Sequence, residues 1–309
     1  MTLRLVVIVG PTATGKTRLA VEVAHRLGSE IVSADSRQVY LGLDIGTGKD
    51  LEEYSRVTPP VPHHLIDVCD PRQIYTLFDF QRACYQLLRA KASESRFGSG
   101  TVPLLMAGGT GLYVEAVLRG YRIADVPENP ALRHRLMRHP HAELVERLLR
   151  AAPDLHRETD LTSTKRVVRA LEIAEHAKSS MFRSSTPLGF DIDSTVFGVQ
   201  VDRAELRRRI AVRVDHRLDH GMVDEVRSLL AAGVSHERLQ MLGLEYRVIG
   251  DYLRGNITYD AMREMLKTRI GQFAKRQMTY FRGMERRGTP IRWISPNDAY
   301  TTVLSTVAR

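Results

Sequence analysis

"GPTATGKT", residues 10–17, follows the apolar run "LRLVVIV" at 3–9 and opens "KTRLAVEVAHRLG" at 16–28, whose apolar residues recur at helical spacing. The eight residues fit G-x-x-x-x-G-K-[ST] in the context that pattern requires, a buried strand before and a helix after. Glycines let backbone N–H groups turn toward an anion, and the helix N-terminus adds its partial positive charge. Gly10, Pro11, Thr12, Ala13, Thr14, Gly15, Lys16 and Thr17 are therefore the predicted phosphate-binding set. Lys16 supplies a mobile cation, and Thr17 offers a hydroxyl to Mg²⁺. Such a loop serves kinases, NTPases and transferases alike, so the chemistry has to be read from what surrounds it.

Outward from the loop, strands and helices alternate. "EIVSADS" at 30–36, "HHLIDVCD" at 63–70 and "TVPLLMAGGTG" at 101–111 read as strands, with "TLFDFQRACYQLLRAKASESR" at 76–96 a helix between the last two. That order predicts the α/β class: a P-loop parallel sheet with helices on both faces. "VPENPALRHR" at 126–135 breaks the pattern with two prolines, and helical segments without strands follow. "STVFGVQV" at 194–201 and "TPIRWIS" at 289–295 are strand-like again, with mostly helical sequence between. The expected organisation is a P-loop core over 1–120, a small inserted helical domain over 121–163, and core completion with a basic helical C-terminal part over 164–309.

Of 309 residues, 43% are hydrophobic and 26% charged, as in ordinary globular proteins. No apolar run approaches the ~18 residues of a membrane helix, and the N-terminal apolar stretch reads as a strand, not a signal peptide. Cys69 and Cys84 are the only cysteines, which excludes a disulfide framework or a four-cysteine zinc site within the chain and fits a reducing compartment. The net charge of +9 is uneven: residues 203–292 hold nineteen Lys+Arg against eleven Asp+Glu. That excess fits a polyanionic partner, nucleic acid first, or a solvated arginine-rich helical surface.

In open α/β sheets ligands bind beyond the carboxyl ends of the strands. Asp35 stands at one such end, as a functional carboxylate or a helix N-cap. Asp67 stands at another, as a metal-ligating acid or a turn former. Thr110 lies in the glycine-rich turn after the next strand. Further on, Leu206, Ile210, Val214, Leu218, Met222 and Val226 recur every four residues, and Arg213 and Arg217 project toward that apolar side. An inward arginine needs an anion, either an internal carboxylate or a bound phosphate. "RIGQFAKRQMTYFRGMERRG" at 269–288 interleaves cations with Phe273, Tyr280 and Phe281. Cations can track an RNA backbone and aromatic faces can stack on bases; Phe273 is expected in the core.

Taken in order, "GPTATGKT", "SADSRQVYLGLDIGTGK" at 33–49, "HHLID" at 63–67, "PLLMAGGTGLY" at 103–113, "RVVRALEI" at 166–173 and "AKRQMTYFRG" at 274–283 resemble the bacterial tRNA dimethylallyltransferases, also called isopentenyl-tRNA transferases. The resemblance runs to about residue 294 and implies transfer of a five-carbon prenyl group from dimethylallyl diphosphate to N6 of the adenosine 3′ of the anticodon. It implies Mg²⁺ as cofactor and a cytoplasmic, monomeric enzyme whose partner is the anticodon stem-loop of tRNA. The phosphate loop and Arg213 would hold the donor's diphosphate, with Thr17 on the metal. Asp35 would be the general base, and Thr110 would line the site. Asp35, Ser36, Arg37, Gln38, Thr110, Lys165, Arg166, Arg169, Gly243, Lys275, Arg276, Gln277 and Arg282 would meet the tRNA, as would Arg133 in the inserted helices. The chain departs from the family where the usual Asp-Ile-Gly-Thr-Ala-Lys-Pro reads "DIGTGKD", where the late Gly-Tyr turn reads "GLEYR", and where Tyr280 replaces a common tryptophan. The zinc-finger extension of eukaryotic relatives is not expected, since no cysteine follows Cys84. The rival readings are prenyl transfer to free adenine nucleotides, a P-loop kinase, and an RNA-binding protein with a relic loop.

Overall fold

The computed structural model describes residues 2–94, 102–178 and 186–307. The ends of the predicted helix at 76–96 and of the predicted strand at 101–111 fall partly outside them. Two compact units emerge, one built from 1–121 with 188–309, the other from 122–187.

The larger unit is organised on a six-stranded sheet. In chain order its strands are β1 (Thr2–Val9), β2 (Ile31–Ser33), β3 (His63–His64), β4 (Leu104–Gly108), β5 (Asp191–Val199) and β6 (Arg292–Ile294). They run in the spatial order β3-β2-β4-β1-β5-β6, and every pairing is parallel. Strand β1 is buried on both faces, which is why its sequence is an unbroken apolar run rather than an alternation. Leu3, Leu5, Val7 and Val9 join one core, with Phe80, Leu88, Val114 and Phe281. Val6 and Ile8 join another, with Leu19, Val23 and Val303. The covering helices are α1 (Lys16–Leu27), α3 (Leu77–Ser93), α4 (Gly111–Leu118) and α14 (Ala299–Val307), with the short α2 (Leu51–Ser55) before β3. Helix α1 closes at Gly28 in the left-handed region, as read from the sequence. The expected third strand over 63–70 shrinks to two residues, because Leu65 and Asp67 both take positive φ and turn the chain away.

A third core lies under the late helices α9 (Arg203–Asp219), α10 (Met222–Ala231), α11 (His236–Leu242), α12 (Leu244–Leu253) and α13 (Tyr259–Arg286). The stripe read from the sequence is buried at Ile210, Val214, Leu218, Met222 and Val226, although the chain turns at Gly221 between α9 and α10. Helix α13 has 28 residues, about 42 Å at 1.5 Å per residue. Met262, Leu266, Ile270 and Ala274 belong to this third core, and Phe281 and Met284 to the sheet core. Gln277 is buried at the seam.

The smaller unit comprises α5 (Pro130–Leu136), α6 (His141–Ala151), α7 (Pro153–Glu158) and α8 (Thr164–His176) around Leu132, Leu144, Leu148, Val167 and Leu171. Its extent corrects the expected boundary at 163: α8 supplies a large share of this small core and belongs with it. No helix among the described residues is long and apolar enough to cross a membrane.

Candidate active site

The register places Val9, Gly108 and Gly198 side by side, with Ser33 opposite Ala107. The loops leaving β1, β2 and β4 therefore meet at one edge of the sheet, where an open α/β fold holds its ligand. They line a cavity of about 880 Å³, closed by residues of α9, α12 and α13.

The loop after β1 supplies Thr12, Ala13, Gly15, Lys16 and Thr17 to the cavity. Gly15 has φ +85, a conformation that disfavours a side chain, and a Cβ on Gly10 would stand 2.9 Å from the Val199 carbonyl oxygen. Thr14 is buried and donates its hydroxyl to the Pro11 carbonyl at 2.9 Å. Gly10, Pro11 and Thr14 thus shape the loop whose other members line the cavity. Thr12 donates its N–H to Gln277 Oε1 at 2.9 Å. Gln277 Nε2 in turn donates to the Gly109 carbonyl at 2.9 Å. Gln277, expected at the RNA, bridges two ligand-bearing loops while lining the cavity. Burial lowers the Lys16 pKa, and Asp35 opposes that by favouring the ammonium.

After β2 the chain turns instead of entering a helix, so Asp35 has no helix to cap. Its Oδ1 accepts from the Arg37 N–H at 3.0 Å. Its Oδ2 lies on the Gly109 side, 3.5 Å from where a Cβ on that glycine would be. One oxygen fixes the turn and the other is left for the cavity. Thr110 clips the same turn, accepting from the Ser36 N–H at 3.0 Å and donating to Ser36 Oγ at 3.2 Å. Arg37 donates to the Met241 carbonyl at 2.6 Å. Gln38, also on the cavity wall, is buried, accepting from Ser33 Oγ and donating to the Gly48 carbonyl.

The loop at 44–50 forms the opposite wall. Glu225 organises it, accepting from the N–H groups of Asp44, Ile45 and Gly46 at 2.6–3.0 Å and from the Tyr246 hydroxyl at 2.7 Å. Lys49, fully buried, pairs with Asp44 and Asp67. Asp67 thus serves as a counter-ion to the buried Lys49. At the end of this loop Asp50 Oδ2 pairs with Arg213 at 2.5 Å, while Arg217 lies 3.6 Å from Oδ1. Both arginines line the cavity, as the inward projection on α9 implied. Burial, with Arg213 adding to it, lowers the Arg217 pKa to about 10. Glu245 lies across from them, and burial raises its carboxyl to about 7 against the pull of Arg217 and Arg37.

Phe273, Arg276 and Tyr280 join Gln277 in lining the cavity from α13. Phe273 was expected in the core; it is half-buried on the cavity wall, with Arg276 6.0 Å over its ring. Tyr280 donates to Glu115 at 2.7 Å, and Arg287 pairs with that buried carboxylate. Lys275 and Arg282 face elsewhere, onto a separate cavity of about 860 Å³ lined also by Arg203, Arg207 and Lys267. Gly243 joins α11 to α12 with extended backbone. In the smaller unit Lys165 and Arg166 are exposed, Arg166 paired with Asp160. Arg133 and Arg169, both expected at the tRNA, pair with the buried Glu172 and remain partly exposed.

Sequence reasoning missed Asp50, Glu225 and Glu245. Asp50 and Glu245 each lie in a departure from the usual motif, "DIGTGKD" and "GLEYR", whereas the role of Glu225 depends on contacts distant in sequence.

Fold and site together define an α/β protein with a parallel sheet flanked by helices and, at its strand ends, a cavity combining cations, carboxylates and apolar surface. Residues 38–284 match the IPP transferase family and residues 3–59 the isopentenyl transferase family. The chain belongs to the IPP transferase family. It is 49% identical to tRNA dimethylallyltransferase 1 of Syntrophus aciditrophicus, over 95% of this chain and 94% of that one. It is 48% identical to tRNA dimethylallyltransferase 1 of Porphyromonas gingivalis, over 94% and 93%. The crystal structure of the full-length tRNA isopentenylpyrophosphate transferase of Bacillus halodurans superposes with a TM-score of 0.68 at 31% identity, covering 99% of this chain and 95% of that one. A eukaryotic dimethylallyltransferase acting on tRNA shares the fold at a TM-score of 0.72 and 20% identity, covering 99% of this chain and 77% of that one.

Proposed function

We propose that the protein transfers a dimethylallyl group from dimethylallyl diphosphate to N6 of the adenosine 3′ of the anticodon in tRNA, releasing diphosphate. The observation that carries this reading is the cavity itself. Lys16, Arg213 and Arg217 offer an anion site, Val212, Leu112 and Phe273 offer apolar wall for a short hydrocarbon, and Asp35 turns a free oxygen toward the same space. An adenine amine is a weak nucleophile because its lone pair is delocalised into the ring. Asp35 takes its proton as the C–N bond forms. Negative charge grows on the departing diphosphate, so fixed cations stabilise the transition state more than the ground state. The donor chemistry here suits Mg²⁺: Thr17 would offer it a hydroxyl beside the bound diphosphate. Bound there, it would neutralise the leaving group. The excess of cations over 203–292 supports a macromolecular acceptor over a free nucleotide.

The test is incubation with unmodified tRNA and radiolabelled dimethylallyl diphosphate, followed by nucleoside analysis, with AMP as a parallel acceptor. Label on N6 of adenosine from tRNA is expected. Label only in AMP would move the assignment to nucleotide prenylation, and ATP consumption without prenyl transfer would move it to a kinase.

A further inference from the structure

Among the cavity's charged side chains, Arg217 stands out as incomplete. Its side chain is 12% exposed, and its Nη2 is buried without a hydrogen-bond partner among the described residues. A buried guanidinium donor with no acceptor is costly, so its persistence asks for a ligand or a switch of partners. The 44–50 loop is shaped to admit it. Gly48 has φ +61, and a Cβ there would lie 1.6 Å from Arg217 Nη2 and 2.6 Å from Arg213 Nη2. The guanidinium occupies the space a side chain would fill. Among the described residues, the carboxylate in ion-pair range is Asp50, and it is already bonded to Arg213, so one anion serves two cations.

We propose that Arg217 is a second arginine gripping the leaving diphosphate beside Arg213, and that Asp50 holds the pair while no anion is bound and yields them when one enters. This rests on the reading of the cavity as a diphosphate site. Diphosphate presents several acceptor oxygens, enough to satisfy Nη2 and Arg213 together, as one shared carboxylate does not. Gly48 is the permissive element, since a side chain there must displace the Arg217 guanidinium from this position.

The experiment is calorimetric titration of the full chain with inorganic pyrophosphate at fixed Mg²⁺, with melting temperatures alongside. Arg217→Met should weaken binding about tenfold, the loss expected for one charge-assisted hydrogen bond. Asp50→Asn should tighten it several-fold, because the competing anion is gone. If Arg217→Met melts early, Arg217→Gln serves in its place: it keeps a polar side chain in the buried space, removes the charge, and should weaken binding comparably. Pyrophosphate affinity within twofold of wild type in a stable Arg217→Met protein overturns the grip. Weakened binding by Asp50→Asn overturns the exchange of partners. Wild-type protein that binds no pyrophosphate removes the diphosphate site and this inference together, whereas the preceding outcomes leave the diphosphate site intact.

Discussion

Glu172 and Asp50 each stand between two arginines, Arg133 and Arg169 for the first, Arg213 and Arg217 for the second. Glu172 is 2% exposed and accepts from the Asn129 N–H at 2.6 Å, from Arg133 at 3.0 and 2.8 Å, and from Arg169. Burial raises its pKa, but the bonds from Arg133, Asn129 and Arg169 overcome that and bring it below the usual carboxylate value. Asp50 is 32% exposed, makes one short bond, and leaves an arginine donor unmet. The same three charges thus build a finished structural joint in one unit and an unfinished site in the other. The lesson is to count acceptors against donors before assigning a charge cluster to stability or to binding.

Asp35 offers the largest expected effect, because it combines both behaviours in one side chain. Oδ1 is committed to the turn and Oδ2 is open. Asp35→Asn keeps an oxygen for the Arg37 N–H, so the melting temperature and tRNA affinity should barely change. Loss of a general base should cost on the order of 10² to 10⁴ in single-turnover prenyl transfer. Near wild-type transfer by the folded variant would return Asp35 to a purely structural role. Next in size is Glu172→Gln, which leaves two arginines around a neutral amide. Removing one partner of a buried ion pair costs on the order of 3 kcal/mol, read by denaturant unfolding. An unchanged midpoint would erase the contrast with Asp50.

What could be read in advance follows from how local each feature is. The loop at 10–17, the apolar β1 and the stripe begun on α9 are local patterns, and they appear where expected, the stripe continuing past the turn at Gly221 onto α10. Gln277 reaches Thr12 across 265 positions and Arg213 reaches Asp50 across 163, and no periodicity encodes such pairings. The same holds for Glu225, whose carboxylate meets three N–H groups of a loop about 180 residues earlier. The boundary at 163 failed for a related reason: the apolar face of α8 reads equally well as packing on the sheet or on α6, and only the assembled core decides.

A smaller effect is expected from Lys275→Ala with Arg276→Ala. Both are exposed, and neither has a carboxylate partner among the described residues. If they track RNA phosphates, tRNA affinity should fall and the log–log salt slope should flatten by roughly 0.7 to 0.9 for each phosphate no longer neutralised. An unchanged slope would place them with the solvated surface cations.

The smallest effect concerns Glu245, and its sign is opposite to that of Glu172. Burial raises the Glu245 carboxyl from 4.5 to about 7. Between those values the folded chain keeps a proton that the unfolded chain has lost, so stability falls as pH rises through this window and levels off above it. Glu172, held below its ordinary value, contributes stability that is present above the unfolded pKa and disappears as pH drops through the lower folded one. Glu245→Gln carries no titrating proton, so its melting temperature should decline less than that of wild type between pH 5 and 7. The two curves should then run parallel above pH 7. Arg217 supplies a cross-check: it favours the Glu245 carboxylate, so Arg217→Met should push the Glu245 titration to higher pH. Matching melting curves for wild type and Glu245→Gln across pH 5–8 would mean that Glu245 ionises normally, leaving Asp50 as the acid that answers to Arg217.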